Sequence, residues 1–245
     1  MIAHPLSPVL FRSIFMQEKS AVIIVAAGAS RRMGRDKLWI PLLGRITLAR
    51  TIDAFQASPL IDSIILIASA EQLTATRTLC KQEAWDKIQA VVPGGLRRQD
   101  SVCQGLDTLA QLQPTCRWVM VHDGARPFVT ETIIEAGLKA AQVHLAAIAA
   151  MPVKDTIKQV RNDIILDTPE RSLLWMVQTP QVFAFDLIHQ AHHSPLAEDD
   201  ATDDALLLER LGHPVAVFPG SYTNIKITTQ EDLLFAEAYL KGQES

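Results

Sequence analysis

The chain has 245 residues, 48% of them apolar, and a formal charge of −4 at pH 7. That is enough apolar chain for one large core, while the acidic balance leaves no electrostatic footprint for nucleic acid, and no apolar run approaches the roughly 20 residues that span a bilayer. Cys80, Cys103 and Cys116 are odd in number, widely spaced and without metal-type pairing, so a reducing cytoplasm is the simplest compartment.

Residues 1–20, interrupted by Pro5, Pro8 and Arg12, read as a disordered extension with Met16 as an alternative start, and residues 21–245 as a single domain. Short β-rich apolar runs follow at Val22 to Ala26, Ile61 to Ala68, Gln89 to Val92, Trp118 to His122, Ala146 to Pro152 and Val215 to Phe218. Between and after them, Thr47 to Ala57, Glu71 to Gln82, Ser101 to Leu109, Thr130 to His144 and Gln230 to Leu240 are segments of helical length and pattern. This alternation predicts an α/β fold, a mostly parallel sheet with helices on both faces, and such sheets bind ligands beyond the carboxyl ends of their strands. Residues 154–175 break the pattern: they run polar around the short apolar piece Ile164 to Leu166 and predict a projecting β-arm. An isolated hairpin is marginal in water, so the arm calls for a partner surface such as a second copy of the chain; an ordinary long surface excursion is the other reading.

Three loops carry chemistry. Ala26-Ala27-Gly28 opens a small-residue, basic loop that reaches Arg32 and Lys37 directly after the first strand. Small residues let backbone N–H groups approach a phosphate, and Arg32 and Lys37 can neutralise a polyphosphate. Neither the Walker nor the three-glycine dinucleotide spacing is present, and taken alone a tight turn with solvated cations reads equally well. Pro93-Gly94-Gly95 leads to Ser101, so paired glycines can present backbone groups to a base edge beside a hydroxyl, although Asp100 or Ser101 can equally cap the following helix. His122-Asp123-Gly124-Ala125-Arg126 follows an apolar strand; Asp123 there can hold Mg²⁺ together with substrate phosphates, and Arg126 can contact an anion. A helix cap is the alternative for Asp123. The alternating run Asn224 to Thr228 predicts a strand end that carries Lys226 toward the same crevice. The acidic stretch Glu198 to Asp204, near His192 and His193, could suggest a metal site, but its irregular spacing favours a solvated loop with a helix cap at Thr202 or Asp203.

The order and spacing of these motifs, with Asp155-Thr156 and Thr179-Pro180-Gln181 between them, resemble the 2-C-methyl-D-erythritol 4-phosphate cytidylyltransferase family over residues 21 to about 240. The resemblance implies a Rossmann-like nucleotide-diphospho-sugar transferase fold, CTP and a phosphorylated polyol as substrates, Mg²⁺ (or another divalent cation) as cofactor, and a homodimer in which each arm reaches the partner's active site. It implies triphosphate contacts for Arg32 and Lys37, nucleotide contacts for Ala26, Ala27, Gly28, Gly94, Gly95 and Ser101, and a metal near Asp123. On the acceptor side it implies Arg126, Thr156, Thr179 and Thr202, with Arg171 and Lys226 at the reacting phosphate and Arg171 and Thr156 reaching in from the arm. The family often has proline before the loop lysine; here Asp36 stands there and weakens the local positive field. The remaining readings are a cytidylyltransferase for another polyol phosphate such as ribitol 5-phosphate, a molybdenum-cofactor nucleotidyltransferase, and a silent nucleotide-binding protein.

Overall fold

A computed structural model describes residues 18–28 and 37–243. Its centre is a seven-stranded sheet. The strands in chain order are β1 (Lys19–Ala26), β4 (Ser63–Ala68), β5 (Ile88–Pro93), β6 (Cys116–Asp123), β7 (Ala146–Pro152), β10 (Trp175–Ala184) and β11 (Ala216–Pro219). Across the sheet they run β11-β7-β10-β6-β1-β4-β5, and β10 alone is antiparallel to both of its neighbours. The short pairs β2 (Pro41–Leu42) with β3 (Arg45–Ile46) and β8 (Gln159–Arg161) with β9 (Ile164–Asp167) stand outside it. The fold expectation therefore holds, with β1 beginning at Lys19, inside the stretch assigned to the extension.

Successive residues of a strand point to opposite faces. Val22 and Ile24 accordingly join one core with α1 (Thr47–Ala57) and α4 (Glu131–His144), while Ala21 and Ile23 join another with α3 (Arg98–Leu112), α5 (Phe185–His192) and α6 (Ala205–Arg210). Both faces are covered, so the strands read as continuous apolar runs rather than alternating ones. α2 (Leu73–Glu83) borders β5, and α7 (Gln230–Gln243) packs Leu233 and Ala236 on Leu42, Phe128 and Ile227. Among the described residues, no helix is long and apolar enough to cross a membrane.

β10, α5 and α6 were not among the expected elements. The polar run Gln178 to Gln181, with Pro180 inside it, argues against a central strand, and it marks the place where the β10–β7 register breaks, between Val177 and Gln181. Lys226 also departs from expectation. It sits in an irregular segment, not a strand, and the alternation of Ile225 and Ile227 arises because both pack toward α7. The arm forms as expected, closed by Asn162 and Asp163 at φ 50° and 62°, the paired positive φ of a tight hairpin turn.

Candidate active site

Two adjoining clefts open beyond the carboxyl ends of β1, β5 and β6. The first, about 310 Å³, is lined by Ala27, Gly28, Lys37, Gly95, Arg98, Ser101, Asp123 and Lys226, among others. The second, about 240 Å³, adds Arg126, Gln178, Thr179, Thr202 and Asp203 to Arg98, Asp123 and Lys226. Those last three residues line both clefts and so form the wall between them.

The first cleft is closed by backbone crowding. A Cβ on Gly94 would lie 2.3 Å from Ala27 Cβ and 2.8 Å from Ser101 Oγ, and one on Gly95 would lie 2.5 Å from Asp100 Cβ. Only glycine lets the loop after β5 approach the loop after β1 this closely. The Ser101 hydroxyl is occupied within that loop, accepting from Gly95 N–H and donating to the Arg97 carbonyl, both at 3.1 Å. Its part is to shape the loop, and Asp100 takes the cap by accepting from Arg97 N–H at 2.9 Å. Gly94 and Ala26 stand behind the lining rather than in it, and Arg32 lies outside the described residues.

The wall is a charge cluster. Asp123 Oδ2 lies 2.9 Å from Lys226 Nζ and 3.7 Å from Arg126 Nε, and Oδ1 lies 3.4 Å from Arg98 Nε. Burial opposes ionisation of Asp123, but Arg98, Lys226 and Arg126 together hold its carboxyl far below the usual range. Arg98 also donates to the wholly buried Asp204 Oδ2 at 2.7 Å. Burial disfavours the Arg98 charge, and Asp204 and Asp123 outweigh it. His192 Nε2 lies 3.2 Å from the other Asp204 oxygen without hydrogen-bond alignment.

Behind the wall runs a hydrogen-bond chain of fixed polarity. Asp123 N–H donates to Thr179 Oγ1 at 3.0 Å, and that oxygen is 3.1 Å from His122 Nδ1. His122 Nε2 is 3.1 Å from the Arg126 carbonyl, which can only accept. Nε2 therefore carries the proton and Nδ1 accepts from the Thr179 hydroxyl. Burial keeps the ring neutral, pushing its pKa down to about 4. Arg126 Nη1 donates to the Asn224 carbonyl at 2.8 Å, whereas its Nε has no hydrogen-bond partner among the described residues. Ile227 N–H binds the Ala125 carbonyl at 2.9 Å and anchors the segment that carries Lys226.

Thr179 and Thr202 both line the second cleft; the Thr179 hydroxyl is nevertheless committed to the chain behind the wall. Gln181 ties the floor of this cleft to α6, donating to Asp203 Oδ2 at 2.7 Å and accepting from Asp204 N–H at 3.2 Å. Asp203 Oδ1 accepts from Leu206 N–H at 3.1 Å, so of the two expected cap residues Asp203 caps and Thr202 does not. The acidic loop before it is held through the carbonyls of Ala197, just ahead of it, and Asp199, which accept from Gln99 at 2.6 and 3.2 Å. Arg171 and Thr156 lie on the arm and line neither cleft of their own chain; Arg171 donates to the Lys154 carbonyl at 3.0 Å. Arg98, Asp204, Gln181 and His122 escaped assignment because nothing in their local sequence marks them as paired across the fold.

A cleft with a basic, glycine-crowded side, a second side bearing a largely buried arginine, and one carboxylate shared between them suits two phosphorylated ligands meeting at Asp123. The comparisons agree. Residues 20–242 match the family model for 2-C-methyl-D-erythritol 4-phosphate cytidylyltransferase. The chain belongs to that family. A cytidylyltransferase of this name from Dehalococcoides mccartyi is 46% identical over 230 residues, covering 93% of this chain and 99% of the relative. One from Alkaliphilus oremlandii is 46% identical over 228 residues, covering 91% and 95%. The crystal structure of a 4-diphosphocytidyl-2C-methyl-D-erythritol synthase from Anaerococcus prevotii superposes with a TM-score of 0.82 at 35% identity, covering 94% of this chain and 99% of that one.

Proposed function

We propose that the first cleft takes CTP and the second takes the phosphorylated polyol, with the Arg98, Asp123 and Lys226 wall where the two react. As a member of its family the chain is a nucleotidyltransferase that moves CMP from CTP to 2-C-methyl-D-erythritol 4-phosphate, releasing pyrophosphate, in isoprenoid precursor synthesis. The observation that carries the assignment of substrates to clefts is that the same three residues line both.

The acceptor is a phosphate monoester, largely ionised near neutral pH because its second pKa is about 6. It needs no general base. Catalysis then rests on bringing two anions into line and neutralising the charge on the departing pyrophosphate. Lys37 stands in the nucleotide cleft for that purpose, and Arg32 on the same loop is assigned with it from the family resemblance. Arg126, largely buried and with an Nε that makes no hydrogen bond among the described residues, is suited to the acceptor phosphate. Lys226 joins the two, reaching both clefts from its contact with Asp123.

Asp123 fits a Mg²⁺ ligand by its chemistry. Among the described residues its Oδ1 has only the long contact with Arg98, and Mg²⁺ needs one or two carboxylates when phosphates complete its shell. Bound there with the triphosphate, the ion would add charge neutralisation to that of the side chains.

The arm supports a homodimer. Val160, Ile164, Ile165, Leu166, Leu173 and Trp175 are all exposed on it, an apolar surface that a second copy would cover. Arg171 and Thr156 would then enter the partner's acceptor cleft. The three free thiols fit the reducing cytoplasm.

The test is Mg²⁺-dependent pyrophosphate release from CTP with methylerythritol 4-phosphate and ribitol 5-phosphate as parallel acceptors. Release with the first alone supports the assignment; release with the second alone moves the acceptor to another polyol.

A further inference from the structure

Away from the clefts, α3 and α5 face each other across a small polar cluster. Cys103 and Asp107 stand one helical turn apart on α3, and His189 and His193 one turn apart on α5 and its C-terminal cap, so each pair shares a helix face. Cys103 Sγ lies 3.8 Å from His193 Nε2, and that nitrogen lies 3.1 Å from Asp107 Oδ1. The ligand atoms of Cys103, Asp107 and His193 all fall within 4.8 Å of one another. Tetrahedral zinc with bonds of about 2.0 to 2.3 Å needs donor separations of roughly 3.3 to 3.7 Å, so small side-chain adjustments close the set around an ion.

The surroundings are also those of a metal site. His193 Nδ1 lies 2.8 Å from the His189 carbonyl, which places the proton on Nδ1 and turns the Nε2 lone pair toward the thiol and the carboxylate. His189 Nε2 lies 3.0 Å from the same Asp107 Oδ1, and its ring stacks on Phe185 at 5.4 Å, which holds the carboxylate in place.

We propose that Cys103, Asp107 and His193 bind one divalent transition-metal ion of the zinc class, with His189 orienting the carboxylate and water completing the coordination, so that the ion staples α3 to α5. Thiolate and imidazole ligands favour such an ion over Mg²⁺, and none of the four residues lines either cleft. Spacing along the chain concealed the set, because its members come from two distant helices.

The experiment is a Zn²⁺ titration of the metal-free full chain against a chromophoric chelator, with Co²⁺ as a spectroscopic substitute. The expected result is one Zn²⁺ per chain that excess Mg²⁺ does not displace, and a Co²⁺ adduct with a thiolate-to-metal charge-transfer band. Cys103→Ser, nearly isosteric, should abolish that band, and Cys103→Ser and His193→Gln should each weaken Zn²⁺ by about 100-fold, the upper range for losses around a metal site. Asp123→Asn should leave the titration unchanged. Zn²⁺ should raise the melting temperature of the unsubstituted chain and leave that of the two cluster variants where it was. Absence of Zn²⁺ uptake, uptake insensitive to both cluster substitutions, or a Co²⁺ adduct lacking the thiolate band would overturn the proposal.

Discussion

Arg98 meets the wholly buried Asp204 carboxylate at 2.7 Å. The two partners are not equally dependent. Arg98 keeps a quarter of its side chain exposed and retains Asp123 as a second partner, whereas Asp204 has no access to water. Arg98→Ala strands a buried carboxylate and should cost about 3 to 5 kcal/mol, the usual penalty for breaking a buried pair. Asp204→Asn should cost clearly less. Urea unfolding of both variants checks the order, and the reverse order would contradict this account of the pair.

The neutral, buried His122 makes stability depend on pH. Its pKa is near 4 in the fold, against about 6.5 when unfolded, so between those values the unfolded chain binds a proton that the native chain does not. Stability is therefore full above about pH 6.5 and falls toward pH 4, by up to about 3 kcal/mol from this residue. Asp123 and Asp204, both held below the usual range, add losses only at lower pH, where unfolded carboxylates begin to protonate. Unfolding of the unsubstituted chain and of His122→Asn at several pH values between 5 and 6.5 tests this, and the variant should lose about one proton's worth of slope.

Lys37→Ala should lower kcat by about 100-fold or more, as removal of a preorganised charge-stabilising donor does. Arg171→Ala should impair use of the polyol phosphate and leave CTP affinity by calorimetry nearly unchanged. If arms are exchanged in a dimer, mixing and re-associating these two weak variants should restore about a quarter of normal turnover. Half of the randomly paired dimers then carry one intact site of two. Additive residual activity would place Arg171 in its own chain's site.

Gly94→Ala should fold and bind CTP at least about tenfold more weakly. The new methyl meets Ala27 Cβ, a backbone-fixed atom that cannot swing aside, and overpacking of this kind costs on the order of 1 to 3 kcal/mol. Isothermal titration with CTP, beside a thermal melt, separates lost binding from lost fold.

The parts of the site that could be read from sequence are those whose meaning is local. Gly28, Gly94 and Asp123 each follow an apolar strand, and a parallel sheet delivers all such loops to one edge. The helix periodicity of Thr47 to Ala57 sufficed for that element because nothing remote competes with it. What stayed hidden depends on partners far along the chain. Arg98 looks like a solvated cation until Asp204 is placed beside it, and β10 looks like a loop because Gln178 and Thr179 leave the β7 ladder to face a cleft. Asn162-Asp163, at the tip of the arm, was a turn signal available in the sequence and passed over.

The one-way chain from Asp123 through Thr179 and His122 to Arg126 restricts how this lineage can drift. Thr179→Val orphans a backbone donor and an imidazole acceptor at once, and His122→Phe orphans the threonine hydroxyl and a carbonyl. Serine at 179 keeps the direction of every bond, while most other single replacements break two. These positions are thus bound by epistasis: they persist together or are exchanged together, and a descendant acquiring a new acceptor must find its variation elsewhere around the second cleft.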